Sequence, residues 1–152
     1  MPEDTAITVV AHVIQLAVAP TFMMTAIGAM LGVMTNRLTR IIYRSRILEV
    51  LEPADAAARE LIDTELHALM RRGRYVNRAI TLCTITALLI SSVIAILFLG
   101  AFTRFDASMT VAFLFVTAML TMIIALIYFL KEILIATSSI RIGRAKIIRN
   151  AR

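Results

Sequence analysis

The polar residues with the clearest chemical potential lie where long apolar runs begin or end. Asn36 and Arg37 close the first run, Arg78 precedes the second, and Lys131 and Glu132 follow the third. A carboxylate beside apolar surroundings is costly to ionise without a partner, so we expect Glu132 to contact Arg37 or Arg78 from a neighbouring helix. Such a contact is either an ion-pair clasp that ties helices together or a ring of charge that gates a pore.

A second pattern combines small and hydroxyl-bearing residues within the first apolar run. The members recur at intervals of four and three, which places them on one face of a helix: Thr21, Thr25, Gly28, Gly32 and Thr35. The Gly-x-x-x-Gly pair within this set lets two helix backbones approach closely. The face is therefore either a helix-packing seam, within or between subunits, or a pore lining in which threonine hydroxyls meet water.

The remaining polar and reactive residues give weaker indications of a functional site. Gln15 lies in an apolar stretch, where we expect its amide to hydrogen-bond to another helix, with a pore entrance as the alternative role. His12 and His67 are expected on opposite sides of the membrane, where they cannot form a metal site together, and Cys83 is the single cysteine. We predict no catalytic residues, no metal site and no cofactor, and we expect that the protein is not an enzyme.

Composition indicates the environment of the chain. Hydrophobic residues make up 60% of it and charged residues 17%, so a soluble fold of 152 residues could not hide this much apolar surface. The net charge is +6, but aromatic residues do not interleave with the basic ones, so nucleic acid is not the expected partner. The bilayer itself, with the anionic lipids of its inner leaflet, is the expected partner.

Three runs lack acidic and basic residues: Thr5–Asn36, Ala79–Thr103 and Ala107–Leu130. As helices they would extend about 48, 37 and 36 Å, against a hydrocarbon core of about 30 Å. We predict an all-α membrane protein with three transmembrane helices, the second at 79–101 and the third at 108–130.

The first run is too long for one straight crossing. Because proline suits the first turn of a helix, we predict a break at Pro20, with 20–36 as the first transmembrane helix. Residues 5–18 would form a preceding helix on the outer interface or against the other spans. The alternative is one long kinked helix.

Basic residues are distributed unevenly around these runs. Nine arginines lie between the first and second runs, and the chain beyond Ser139 adds five basic residues, whereas the opposite side has Arg104 set against Glu3, Asp4 and Asp106. The positive-inside rule then predicts that the N-terminus is outside and the C-terminus is in the cytoplasm.

The segment 37–78 carries apolar residues at helical spacing on both sides of Glu52-Pro53-Ala54-Asp55. We predict two amphipathic limbs that form an antiparallel helical hairpin in the cytoplasm. Residues 131–152 form a basic cytoplasmic tail. The whole chain, 1–152, is a single membrane domain.

Several local sequences resemble one family of bacterial membrane proteins. They are the Gln-x-x-x-Ala-Pro pattern that ends at Pro20, the Asn-Arg pair at 36–37, and the stretches 41–48 and 129–134. The chain is similar over most of its length, from about Val13 to Ile142, to the family called domain of unknown function 2721. The resemblance implies a small polytopic membrane protein, which we expect in the bacterial inner (plasma) membrane, and brings no activity with it.

Two functions are consistent with these features. In the first, a cyclic homo-oligomer encloses a pore lined by the first transmembrane helix and conducts an inorganic ion. In the second, the protein is a non-conducting scaffold or adaptor whose hairpin binds a partner protein or anionic lipid. The aligned threonines and glycines favour the first slightly.

Overall fold

The computed structural model describes the backbone of residues 2–53, 55–103 and 108–150, and the side chains of residues 8, 10–53, 55–100 and 108–137. The chain forms three long helices, α1 (Pro2–Val50), α2 (Ala56–Thr103) and α3 (Ser108–Asn150). Each contains a stretch long and apolar enough to cross a membrane, within Val10–Val50, Ala56–Gly100 and Ser108–Thr137. The all-helical class and the three membrane helices are therefore confirmed.

The predicted break at Pro20 is wrong, because α1 is a single helix with Pro20 inside it. A proline within a helix removes one backbone hydrogen bond, and in membrane helices nearby hydroxyl groups can compensate. Pro20 leaves the Leu16 carbonyl without its backbone donor, and the Thr21 hydroxyl donates to the neighbouring carbonyl, that of Ala17, at 2.8 Å. Residues 5–18 are thus the beginning of α1 and not a separate interfacial helix.

The chain turns between α1 and α2 within a few residues. Val50 ends α1, and Pro53 follows after two residues. Asp55 then caps α2, since its carboxylate oxygen Oδ1 accepts a hydrogen bond from the Ala58 amide at 2.7 Å. The sequence Pro-x-Asp therefore sets both the end of one helix and the start of the next.

Buried residues recur at intervals of seven along each helix, which is the spacing that keeps one helical face toward its neighbours. In α1 the series is Val13, Pro20, Ile27, Met34, Ile41 and Leu48, and Ala17 is buried in addition. In α2 two such series alternate, namely Leu69, Val76, Cys83 and Ile90 with Ala79, Thr86 and Val93. In α3 the series is Ala118, Ala125 and Glu132.

The helices contribute to two compact units. The first contains Met1–Gly32 and Thr81–Ile124, and the second contains Val33–Ile80 and Ala125–Arg152. Large apolar side chains in the first unit point outward, among them Phe22 at 73% and Phe113 at 71% exposure. Exposure of this kind is expected where the surrounding solvent is lipid, so the unit has the surface of a membrane-embedded bundle.

In the second unit the end of α1 and the beginning of α2 run antiparallel. Arg44 pairs with Glu65 at 2.9 Å, and a Cβ placed on Gly73 would lie 3.6 Å from Ile41. Residue numbers rise along α1 as they fall along α2, which defines the antiparallel direction.

The tail predicted at 131–152 belongs to α3, which continues as a helix to Asn150. The side chains of the acidic N-terminus, of residues 104–106 and of the C-terminal basic residues lie outside the described part.

Candidate functional site

Glu132 of α3 is the central residue of the second unit. Its side chain is 1% exposed, and both carboxylate oxygens are occupied by arginines. Arg37 of α1 donates from Nη1 to Oε2 at 3.1 Å. Arg72 of α2 donates from Nη2 and Nε to Oε1 at 2.9 and 3.3 Å. Since each helix supplies one residue, we name Arg37, Arg72 and Glu132 the three-helix clasp.

The repeat of α3 explains why a carboxylate is buried here. Glu132 takes the position that follows Ala118 and Ala125 in the buried series, so the fold directs its side chain inward. An ionised carboxylate in a dry site is tolerated only if it is paired and hydrogen-bonded. Two guanidinium groups meet one carboxylate, so the clasp satisfies Glu132 and keeps one unit of positive charge.

Two aromatic rings of α3, Phe129 and Tyr128, contact Arg37 of the clasp and two cations near it. The Arg37 guanidinium lies over the Phe129 ring at 5.4 Å from its centre. Arg78 and Lys131 lie near the Tyr128 ring, at 5.9 and 6.0 Å. Such cation–π contacts add roughly 0.5–1 kcal/mol each at exposed sites. They also hold the cations beside the helix that carries Glu132.

Tyr128 packs in addition against Tyr75 of α2, with ring centres 6.2 Å apart and planes inclined by 35°. This spacing is within the range of favourable aromatic pairs. The pair joins α2 to α3 one helical turn from Glu132. The clasp is therefore flanked on one side by an aromatic contact between the same two helices.

A groove of about 520 Å³ opens beside the clasp. Its polar lining consists of Asn36, Arg37, Arg40, Arg44 and Arg72, and its apolar lining of Val33, Ile41 and Leu69. We name it the arginine groove. Four guanidinium groups line it, while the carboxylates that contact them are Glu132 and Glu65. The groove thus keeps an excess of positive charge.

Comparison with protein families gives one result that covers most of the chain. The model of the family described as protein of unknown function (DUF2721) matches residues 17–142. The chain belongs to this family. No curated protein and no solved structure matches it. The matched segment of this DUF2721 protein contains all three residues of the clasp and every polar residue of the arginine groove.

The residues expected at the span ends of the DUF2721 chain have different surroundings. The contact between Glu132 and Arg37 is present as expected. Arg78 contacts Tyr128, and the second partner of Glu132 is Arg72 instead. Sequence reasoning missed Arg72 as a site residue, although it stands in the same arginine-rich limb. Its alignment with Glu132 depends on the register of α2, which no local pattern specifies.

The remaining span-end residues are more exposed. Lys131 is exposed and lies near the Tyr128 ring, while Asn36 is exposed and lines the arginine groove. Neither contacts the carboxylate of Glu132 among the described side chains. The clasp therefore consists of fewer of the predicted residues than the sequence suggested, with one addition from α2.

The threonine and glycine face of α1 is open in this DUF2721 chain. In the first unit Thr21, Thr25, Gly28 and Gly32 are exposed, and a Cβ added at either glycine would meet nothing within 4 Å. Thr21 and Thr25 line a groove of about 370 Å³ with Ile94 and Phe98 of α2. The face is thus not a packing seam within the first unit.

The other two expected positions are also at the surface. Thr35 is exposed in the second unit, where its carbonyl accepts a hydrogen bond from the Thr39 hydroxyl at 3.0 Å. Gln15 is exposed as well, and among the described side chains it makes no hydrogen bond to another helix. The hydrogen bond from Gln15 to another helix therefore stays a prediction. Gln15 is two residues from the buried Val13 and two from the buried Ala17, so it lies on the opposite, exposed side of α1.

Proposed function

We propose that this protein is a non-catalytic scaffold of the bacterial inner membrane, whose second unit engages the anionic lipids of the cytoplasmic leaflet. The observation that carries the proposal is the arginine groove, which lies where the charge-free run of α1 ends. A bilayer with anionic lipid attracts basic segments at its surface with about 1 kcal/mol per arginine. The excess positive charge of the groove suits that surface.

In this proposal the N-terminus is outside and the C-terminus is in the cytoplasm. The limbs from Arg37 to Val50 and from Ala56 to Arg78 then form a cytoplasmic hairpin that extends beyond the lipid. Support comes from the concentration of arginines in these limbs and from their antiparallel contacts. The positive-inside rule applies to short segments of this kind.

Orientation and lipid engagement need separate measurements. A reporter that is active only in the cytoplasm, fused after Arg152 or inserted in the turn near Pro53, should be active at both places. An inactive reporter at both places would reverse the orientation. The two positions should agree, because two membrane spans, one in α2 and one in α3, separate them.

Lipid engagement is measured on the full chain reconstituted in vesicles of phosphatidylcholine alone or with phosphatidylglycerol. We expect amide hydrogen exchange between residues 37 and 78 to slow when phosphatidylglycerol is present, and the difference to shrink at high salt because charge is screened. Equal exchange in the two vesicles would reject the scaffold proposal.

A homo-oligomeric channel is the second candidate, and one observation favours it. Gly28 and Gly32 are open, so a second copy could approach the α1 backbone closely. The state of Glu132 weighs against conduction, since a carboxylate held by two arginines in a buried clasp does not face a pore. We therefore rank the scaffold above the channel.

Flux into liposomes distinguishes the two. A channel would give ion flux that depends on the protein, and Glu132→Lys would change its conductance without unfolding the chain. The scaffold predicts no flux above that of empty liposomes, and the same substitution should lower thermal stability. Cross-linking of cysteines placed at Thr25 would report whether the open faces of two copies meet.

A further inference from the structure

The arginine groove has the features of a specific site within the charged second unit. We propose that it binds the phosphate group of one anionic phospholipid, with the acyl chains directed along α1. This inference rests on the proposed function, because it assumes that the groove faces the cytoplasmic leaflet.

Unused donors on the four arginines supply the binding chemistry. Each guanidinium has five N–H groups, and the contacts with Glu132 use Nη1 of Arg37 and only Nε and Nη2 of Arg72. Arg44 gives its Nε to Glu65, and Arg40 has no ion pair among the described side chains. Planar guanidinium groups with free N–H groups are well suited to a phosphate.

Partial exposure keeps these donors reachable. The Arg37 side chain is 41% exposed, Arg44 is 51% exposed, and Arg72 is 24% exposed. A phosphate at the groove would meet charge that the clasp has already oriented. The ordering cost of binding is therefore lower than for long side chains that are free to rotate.

The apolar lining indicates why the ligand is a lipid and not a soluble anion. Ile41 of α1 and Leu69 of α2 are buried in the lining of the groove. Val33, which is 53% exposed, lies in the same lining and precedes the groove arginines of α1. The apolar run of α1 ends three residues after Val33. A phospholipid presents a phosphodiester next to a glycerol and hydrocarbon, so its polarity changes over the same short distance.

A second arginine cluster shows that charge alone does not make such a site. Arg71, Arg74 and Arg78 of α2 line a smaller cavity of about 170 Å³ with Tyr75. That cavity has no aliphatic residue among those that line it. Only the arginine groove, of these two, combines guanidinium groups with an aliphatic floor.

Native mass spectrometry of the purified full chain in detergent tests the site. Wild-type protein is titrated with phosphatidylglycerol and, separately, with phosphatidylcholine. Arg40→Gln removes a groove arginine that has no ion pair among the described residues. Arg46→Gln is the matched control, because Arg46 is exposed on the same limb of α1 and lines a different cavity near the turn. We expect Arg40→Gln to weaken phosphatidylglycerol binding by about fivefold or more, with Arg46→Gln close to wild type.

The other outcomes have distinct meanings. If Arg40→Gln and Arg46→Gln weaken binding equally, the specific site is overturned while general engagement of the leaflet stands. If inorganic phosphate at millimolar concentration displaces phosphatidylglycerol, the assignment to a lipid is overturned in favour of a free anion. If wild-type protein binds both lipids equally, and the exchange between 37 and 78 is also the same in both vesicles, the inference and the proposed function fail together.

Discussion

Glu132 is the one carboxylate that is buried among the residues the structure describes. Glu132→Gln keeps the shape of the side chain but replaces one oxygen with an amide group that can only donate. One of the two arginines then faces a donor instead of an acceptor. Removal of one partner from a buried ion pair costs about 3–5 kcal/mol.

Partial exposure of the two arginines reduces the expected loss of stability. The Glu132 side chain is 1% exposed, but Arg37 and Arg72 are 41% and 24% exposed, so the abandoned guanidinium can still reach water or lipid headgroups. We therefore expect a loss of about 2–4 kcal/mol for Glu132→Gln. For a chain of this size that corresponds to a fall in the unfolding midpoint on the order of 10 °C.

Cys83 provides the assay. Its side chain is 0% exposed, so a maleimide dye that fluoresces on reaction with a thiol will report unfolding in detergent as temperature rises. Glu65→Gln is the matched control, because Glu65 forms the same kind of ion pair with Arg44 but is 45% exposed. An exposed pair contributes less than about 1 kcal/mol, so its midpoint should move little.

The two partners of Glu132 should also differ from each other. Arg72 makes two hydrogen bonds to the carboxylate and is the less exposed of the pair, whereas Arg37 makes one. Arg72→Gln should therefore lower the midpoint more than Arg37→Gln does. If the unfolding midpoint of Glu132→Gln falls no further than that of Glu65→Gln, the buried carboxylate does not stabilise the fold and the clasp does not hold the three helices together.

Three further predictions concern the core, the open face and the cysteine. Ala125 is 0% exposed, so Ala125→Leu should lower the free energy of unfolding by about 1–3 kcal/mol, whereas the same change at the exposed Ala112 should not; equal midpoints would contradict this packing. Gly28→Leu and Gly32→Leu should leave the free energy of unfolding in detergent unchanged or raise it by up to about 1 kcal/mol each, because a Cβ there meets nothing within 4 Å and glycine disfavours a helix. A lowered midpoint would show that another part of the chain covers that face. The thiol of Cys83 should resist maleimide below the unfolding transition and react fully above it, and rapid labelling of the folded protein would place it at the surface.

Charge placement made the three helices predictable. Runs such as Ala79–Thr103 and Ala107–Leu130 contain no charge over more than twenty residues, and few structures other than membrane helices tolerate that. The break at Pro20 was wrong for a related reason. A proline commonly begins a helix in soluble proteins, but membrane helices keep prolines inside because the surroundings resupply hydrogen bonds.

The buried face of each helix was harder to predict. In a soluble helix the apolar stripe marks the core, whereas here lipid-facing residues such as Phe113 are as apolar as buried ones. In α1 the buried Ile27 and Met34 immediately precede Gly28 and Thr35 of the open face. The buried positions and the open-face positions of α1 are therefore offset by a single residue along the sequence. Both sets recur every seven residues, since Thr21, Gly28 and Thr35 have the same spacing as the buried positions, so periodicity alone does not distinguish them.

Partner choice within the clasp was only half predictable. The cost of a buried carboxylate made an arginine partner for Glu132 necessary, and Arg37 satisfied it. Arg72 and Arg78 are six residues apart, which along a helix is about 9 Å and about 240° of rotation. Which of them aligns with Glu132 depends on how the turn at Pro53 and Asp55 sets the two limbs, and spacing along the chain does not specify that.

The tilted pair of Tyr75 and Tyr128 gives the molecule an intrinsic optical signal. The chain has three tyrosines and no tryptophan, and Tyr43 is 69% exposed, so its ring should contribute less to such a signal. Near-ultraviolet circular dichroism of tyrosine should therefore arise mainly from the two coupled phenol rings, at a centre-to-centre distance of 6.2 Å. Loosening of the neighbouring helices would be visible by spectroscopy in unlabelled protein.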